Sequence, residues 1–172
     1  MSDSKSLPKN YGDMLSDFVL LDAKGKPYTS KPIRMEGLLL MVLFEADCPT
    51  CQFSAPYLQR FHTLYAEPSA GRFQIWGLSQ DGEEITTDFA EQFGVTFPLL
   101  IDDQLNVTEE YAITNVPDLY LLGAEERIQG AVVGGFSRAG FNGLAKQIAE
   151  YLGVPYLPIV QDHEVTPTIK PG

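Results

Sequence analysis

The segment Leu38–Phe44 constrains this chain most, because all seven of its residues are apolar. A strand that is buried on both faces has this composition, and such strands are typical of mainly parallel sheets covered by helices on both sides. The run is far shorter than the roughly 20 apolar residues that a transmembrane helix needs. We therefore interpret it as the central strand of a layered α/β domain.

Strand and helix patterns alternate around this strand. Apolar residues at steps of three and four predict helices over 49–67, over 83–93, from Asn106 onward, and over 141–152. Strands are predicted over 18–21, 26–29, 73–79, 97–101, 119–122 and 128–133. The order predicts a three-layer fold in which a leading β-hairpin precedes a central sheet with helices on both faces. Asn106 and Glu109 resemble a capping box at the start of the third helix.

The length of 172 residues fits a single folded domain. We predict a loose segment over 1–16, the domain over 17–153, and a proline-rich tail over 154–172. Prolines at positions 155, 158, 167 and 171 interrupt every regular element that the tail could form. No internal repeat is found.

Charge and the start of the chain bear on partners and compartment. A net charge of −11 repels phosphate backbones and anionic lipid headgroups, so nucleic acid and membrane surfaces are poor partners. No apolar signal-peptide core can be drawn in the first 15 residues. The expected compartment is therefore the cytoplasm, or the periplasm or another extracytoplasmic space if an export signal has been removed.

Cys48 and Cys51 are the only cysteines, and they lie where the predicted central strand ends and the first long helix begins. Free backbone N–H groups and the helix dipole favour an anion at that junction. A thiolate at Cys48 is therefore stabilised, and the thiolate is the form that attacks disulfides. Cys51 lies in the first helical turn and can close a small disulfide with Cys48. The spacing predicts that Cys48 attacks a disulfide and that Cys51 resolves the mixed disulfide.

With these features the chain resembles the thioredoxin superfamily, and within it the TlpA-like and ResA-like branch that overlaps the AhpC/TSA group. The landmarks are the Cys48 and Cys51 pair, Pro56 beyond it, and Val116-Pro117 before a later strand. The resemblance implies a thioredoxin-like fold over about residues 12–152. It also implies that an extra strand and helix are inserted within 73–111.

The resemblance further implies a substrate site and a thiol-disulfide oxidoreductase activity. Pro117 is expected to be cis and to lie against the cysteine pair, and Val116 is expected to pair its backbone with the bound substrate chain. Five other residues are expected to tune the site: Pro49, Thr50, Glu45, Asp47 and Asp118. The three acids among them oppose a thiolate at Cys48 by charge repulsion. No metal and no cofactor is required, and the expected partner is a protein that carries a disulfide or a dithiol.

Three positions depart from the family pattern, and they limit which specific role the resemblance can imply. Asp47 replaces the tryptophan that usually precedes the first cysteine, and Val42 stands where thioredoxin carries a buried aspartate. Ser54 stands where many ResA-like proteins have a glutamate. The specific role in cytochrome c maturation therefore does not carry over.

Other functions compete for the same two cysteines. Peroxiredoxins place threonine or serine three residues before the reactive cysteine, and Glu45 holds that position before Cys48. A metal-transfer or redox-sensing module would need further groups near the pair. His62 lies about 16 Å along the predicted helix from Cys51, so the two cannot bind the same ion. The only other histidine that could complete a metal site is His163 in the tail. Two cysteines can also simply pack in a core. The sequence predicts no oligomeric state.

Overall fold

The computed structural model describes residues 6–172. Its strands are β1 Val19–Asp22, β2 Pro27–Thr29, β3 Leu38–Phe44, β4 Phe73–Ser79, β5 Leu99–Ile101, β6 Asp118–Leu122, β7 Gly130–Val132, β8 Gly135–Ser137 and β9 Ile169–Pro171. Its α-helices are α1 Ser30–Glu36, α2 Pro49–Phe61, α3 Glu83–Phe93, α4 Asn106–Glu110 and α5 Arg138–Leu152. A π-helical turn, His62–Ala66, and a 3₁₀ turn, Glu67–Ser69, extend α2.

Seven strands form one mixed sheet in the order β2-β1-β5-β4-β3-β6-β7. The three central strands β5, β4 and β3 are parallel, and β6 runs antiparallel to β3. The hairpin β1–β2 joins the sheet through β5, which pairs antiparallel with β1. The predicted mixed α/β fold with a leading hairpin is confirmed.

The apolar run of β3 is buried on both faces. Leu38, Leu40, Val42 and Phe44 point into one core, and the intervening Leu39, Met41 and Leu43 point into the other. This division follows from the two-residue period of a strand. Helices α2, α3 and α5 cover the first face, while α4 and the segment before β1 supply apolar side chains to the second. The three layers expected from the sequence are therefore present.

Arg34 of α1 is a charged residue in the core, and its side chain is fully buried. Its guanidinium makes two hydrogen bonds to the Asp17 carboxylate, at 2.8 and 2.7 Å, and a further one to the carbonyl of Gly123. Such a fork satisfies a buried guanidinium that would otherwise be costly. Arg34 thereby links α1 both to the segment before β1 and to the residue after β6.

The predicted capping box at Asn106 is wrong. The residue before α4 is Leu105, with a positive φ of 61°, and no side chain of that residue caps the helix within the described part of the chain. The carboxylate of Asp102 instead accepts hydrogen bonds from the backbone N–H groups of Val107 and Thr108, at 3.1 and 2.9 Å. Asp102, four residues before Asn106, therefore provides the N-terminal cap that the sequence pattern assigned to Asn106.

Replacing Asp102 by alanine should lower the free energy of unfolding by about 1–2 kcal/mol, because buried N–H donors of α4 lose their acceptor. Chemical denaturation of Asp102→Ala measures the loss. Asp103→Ala is the matched control, since Asp103 is the next acid and is exposed. Equal stability of the two variants would contradict the capping role.

Near both ends of the chain, the described residues pack more closely than the sequence suggests. Residues 1–5 of the predicted loose segment lie outside the described residues. Beyond them, Met14 bridges to Arg127, and the N–H of Gly12 donates to the carbonyl of Ile128. In the segment 154–172, Ile159 and Val160 are fully buried and β9 pairs with β8. The domain boundaries at 16 and 153 stay predictions.

None of the helices within residues 6–172 is long and apolar enough to cross a membrane.

Candidate active site

Cys48 is the N-cap residue of α2, directly after the loop that leaves β3. Its sulfur accepts a hydrogen bond from the backbone N–H of Cys51 at 3.4 Å. Pro49 follows in the first helical position, where the missing N–H costs no hydrogen bond. The Cys48 side chain is half-buried, so it is open to a reaction partner. An anion on this sulfur is stabilised by the N-terminus of the helix.

Cys51 lies one turn further along α2 and is only 1% exposed. It packs in the apolar core between β3 and the helices α2 and α5. Burial raises the pKa of its thiol far above the ordinary value, because a thiolate there would lose its hydration. The structure contains both cysteines as free thiols. The two sulfurs therefore differ in access, since Cys48 is half-buried and Cys51 is enclosed by the core.

Side chains from neighbouring elements fix the loop that carries Cys48. The backbone N–H of Ala46 donates to the carboxylate of Asp81 at 2.8 Å, and the carbonyl of Ala46 accepts from Gln52 at 2.9 Å. Asp81 follows β4, and Gln52 belongs to α2. Sequence analysis missed both residues, because neither belongs to the cysteine motif and Asp81 is close only through the parallel pairing of β3 with β4.

Val116 and Pro117 lie beside the cysteine pair, just before β6. The thiol of Cys48 donates to the carbonyl of Val116 at 3.5 Å. The Val116–Pro117 peptide bond is cis, and both residues are buried. The carbonyl of Pro117 accepts a hydrogen bond from the N–H of Gly135 in β8 at 3.1 Å. The structure thus brings Val116 into contact with Cys48.

The three acids expected to tune the site lie in different surroundings. Glu45 and Asp47 are exposed residues of the loop before α2 and line the cleft beside Cys48. Asp118 is fully buried on the face of β6 that it shares with Tyr120, whereas Leu119 points toward the core that contains Cys51. Its carboxylate accepts from the N–H of Gly134 at 2.6 Å. These contacts attach Asp118 to the turn before β8 rather than to Cys48.

Burial also changes the acidity of Asp118. Desolvation raises the pKa of its carboxyl group to about 6, and the hydrogen bond from Gly134 opposes that shift. Its second oxygen has no hydrogen-bond partner among the residues that the structure describes. An ionised Asp118 is therefore incompletely satisfied.

A cleft of about 550 Å³ opens next to Cys48. Its lining comes from four parts of the chain: Glu45, Asp47, Cys48, Pro49; Gln80; Leu105, Thr108, Ile113, Thr114, Asn115, Val116; and Gly172. Thr50 is buried and is not part of this lining, and its hydroxyl donates to the carbonyl of Pro171. The presence of Gly172 and Pro171 at this site was missed, because the sequence places them in a distant tail.

The metal-transfer alternative needs ligands near the cysteines. Across residues 6–172 no group of three or more His, Cys, Asp or Glu side chains is placed to hold an ion. His62 lies beyond the last α-helical turn of α2, where its ring contacts Glu67 at 3.4 Å. It is not brought to the cysteine pair.

Comparisons with known proteins place these features in a family context. The AhpC/TSA family profile matches residues 11–131. The thiol-disulfide oxidoreductase ResA of Oceanobacillus iheyensis is 30% identical over 142 residues, which cover 80% of this chain and 72% of that protein.

Among solved structures, the thioredoxin domain of a thiol-disulfide oxidoreductase from Bacteroides vulgatus superposes with a TM-score of 0.68 and 22% identity, covering 80% of this chain and 97% of that one. The peroxidoxin BcpB of Mycobacterium tuberculosis superposes with a TM-score of 0.65 and 20% identity, covering 84% and 96%. Both likenesses concern the fold alone.

Proposed function

The chain belongs to the AhpC/TSA family, and from this premise we propose that it is a disulfide reductase that exchanges electrons through Cys48 and Cys51. Its ResA relatives are thiol-disulfide oxidoreductases, which supports the general activity. The observation that carries the proposal is the asymmetry of the pair. One sulfur is half-exposed at the N-cap of α2, and the other is buried one turn later.

In the proposed reaction, the Cys48 thiolate attacks one sulfur of a substrate disulfide. A Cys48–substrate mixed disulfide forms, and the first substrate sulfur leaves as a thiolate that takes up a proton. Cys51 then loses its proton and attacks the Cys48 sulfur, which releases the second substrate thiolate. Two electrons have passed to the substrate, and the enzyme holds a Cys48–Cys51 disulfide. A dithiol partner must reduce that disulfide before the next turnover.

The division of roles is supported by the position of Cys48 at the helix N-terminus and by the burial of Cys51. Helix N-terminal N–H groups lie at Cys48, including the N–H of Cys51 itself at 3.4 Å. Cys51 is buried among apolar side chains, and burial raises the pKa of its thiol. The accessible and stabilised thiolate is therefore assigned to the attack. The buried thiol is assigned to resolution, which needs only an intramolecular approach.

Val116 and Pro117 are proposed as the platform for the substrate chain. The contact between the Val116 carbonyl and Cys48 supports this role, since a chain passing over Val116 would lie beside the reactive sulfur. Pro49, Thr50, Glu45 and Asp47 are proposed to tune the pair through the loop and the first helical turn. A protein with a disulfide or a dithiol is the proposed partner.

Parallel rate measurements separate a reductase from a peroxidase. We expect the reduced protein to reduce insulin disulfides with multiple turnovers in the presence of a dithiol. We expect hydrogen peroxide removal to remain near the rate of a free thiol, because Glu45 occupies the position of the peroxiredoxin threonine or serine. Fast peroxide removal with no insulin reduction would overturn the assignment in favour of a peroxidase.

A further inference from the structure

The strand β9 lies next to the candidate active site although it follows Cys48 by more than a hundred residues. It pairs antiparallel with β8, with Gly135 opposite Pro171, Phe136 opposite Lys170 and Ser137 opposite Ile169. Strand β8 in turn contacts the platform, because the N–H of Gly135 donates to the carbonyl of Pro117. The segment Thr168–Gly172, called the strap below, is thus attached to the same surface as Val116 and Pro117.

Backbone hydrogen bonds hold the strap along β8. The N–H of Arg138 donates to the carbonyl of Thr168 at 3.0 Å, and the N–H of Gly172 donates to the carbonyl of Gly134 at 3.1 Å. Bonded pairs alternate with non-bonded pairs in an antiparallel ladder. Lys170 and Phe136 lie midway between the pairs Arg138–Thr168 and Gly134–Gly172. They therefore form a third hydrogen-bonded pair of the ladder. Ile169 and Pro171 occupy non-bonded positions, so the missing N–H of Pro171 costs the ladder nothing.

The last residues of the strap lie directly over the substrate platform. A Cβ added to Gly172 would meet the carbonyl oxygen of Val116 at 1.8 Å, so the glycine backbone is in close contact with that peptide unit. The hydroxyl of Thr50 donates to the carbonyl of Pro171. The ammonium of Lys170 lies 5.9 Å from the centre of the Phe53 ring. An extended chain therefore occupies the surface beside Cys48.

Few side-chain contacts retain the strap itself, whereas the segment before it is firmly anchored. Ile169 is 65% exposed. Upstream, Ile159 and Val160 are fully buried, Arg60 makes a salt bridge with Glu164, and Arg138 donates to the carbonyl of Gln161. The strap can therefore separate from β8 and Val116 while the rest of the tail stays attached.

We propose that the groove formed by β8, Val116 and Thr50 binds an extended polypeptide segment by strand addition, and that the strap Thr168–Gly172 occupies it in place of substrate. The inference rests on the proposed function, in which Val116 receives the substrate chain. The ligand class is an unfolded or extended disulfide-bearing polypeptide that pairs with β8. Substrate and strap compete for one groove, so opening of the strap limits the reaction with proteins but not with small disulfides.

Removing the strap should therefore raise activity selectively. We compare the full chain with a variant that ends after Pro167, which keeps the anchors at Ile159, Val160 and Glu164. If the strap is closed in nine of ten molecules, kcat/KM for insulin reduction should rise about tenfold in the shortened variant. The rate with 2-hydroxyethyl disulfide, which needs no groove, should stay within about twofold of the full chain. A synthetic Val165–Gly172 peptide should inhibit the shortened variant competitively.

Two proline variants of the full chain provide a matched test. Lys170→Pro removes an N–H from the bonded pair with Phe136 and should reproduce the gain. Ile169→Pro removes an N–H that points away from β8 and should leave the insulin rate within about twofold of the parent. Lys170→Ala controls for the lost charge. Equal gains from both proline variants would contradict displacement of the ladder.

A labelling measurement keeps the test independent of turnover. In a Cys51→Ser background, a bulky polymer maleimide should modify Cys48 about tenfold faster once the strap is removed, whereas iodoacetamide should react at similar rates. If labelling shows this difference but no variant reduces insulin, the proposed function fails and the strap proposal survives as a binding groove. Unchanged maleimide labelling would overturn the strap proposal in every case. If the full chain does reduce insulin, equal insulin rates with and without the strap, or no inhibition by the peptide, would overturn it as well.

Discussion

A Cys51→Ser variant is expected to accumulate a mixed disulfide between Cys48 and a protein substrate. Cys48 is half-exposed at the N-cap of α2 and still attacks, but the buried thiol that resolves the intermediate is gone. Incubation with oxidised insulin followed by non-reducing electrophoresis should show a covalent complex, and peptide mapping should locate it at Cys48. Steady-state disulfide reduction should fall by about 10³-fold.

The control is the reciprocal variant, Cys48→Ser. It should also lose activity, yet trap no complex, because the remaining thiol is only 1% exposed and burial raises its pKa. Trapping by Cys48→Ser and not by Cys51→Ser would reverse the roles of the two cysteines.

The second large effect concerns stability and pH. The carboxyl group of Asp118 is buried, and burial raises its pKa from 3.8 to about 6. Between these values the folded state binds more protons than the unfolded state, so stability falls as pH rises through this window. The loss is on the order of 2–3 kcal/mol for a shift of about two units. Asp118→Asn keeps an acceptor for Gly134 and should remove this component.

Urea denaturation at pH 4, 5, 6 and 7 tests the expectation. The unfolding free energy of the parent minus that of Asp118→Asn should decrease by about 2 kcal/mol from pH 4 to pH 7. Asp103→Asn is the matched control, because Asp103 is exposed. A difference that is constant with pH, or that grows with pH, would show that Asp118 is not a desolvated acid in the folded protein.

The sequence pattern alone predicted those elements whose structure depends on residues close together in the chain. The continuous apolar run of β3 required cover on both faces, and its residues alternate between two cores. The helix after Cys48 begins at Pro49 as predicted, but its regular α-helical part ends at Phe61 and continues as a π-helical turn. The cysteine motif and Val116-Pro117 were recognisable because each is a short contiguous signal.

The elements that the sequence did not predict depend on contacts between residues far apart in the chain. Helix α1 was not predicted, because its buried Arg34 is held by Asp17 and Gly123, and no local pattern connects these residues. Strand β9 was excluded by its prolines, yet Pro171 stands at a ladder position that needs no N–H. Its place beside Val116 follows from the pairing with β8, which only the folded chain reveals.

The central claim is that Cys48 and Cys51 cycle between a dithiol and a disulfide. Equilibration of the protein in buffers of defined thiol and disulfide ratio, followed by acid quench, alkylation and mass spectrometry, tests it most directly. The account predicts one two-electron transition, in which the Cys48–Cys51 peptide loses two hydrogen atoms and both alkylation sites together. Two independently alkylated thiols at every ratio, with no intramolecular disulfide, would contradict it.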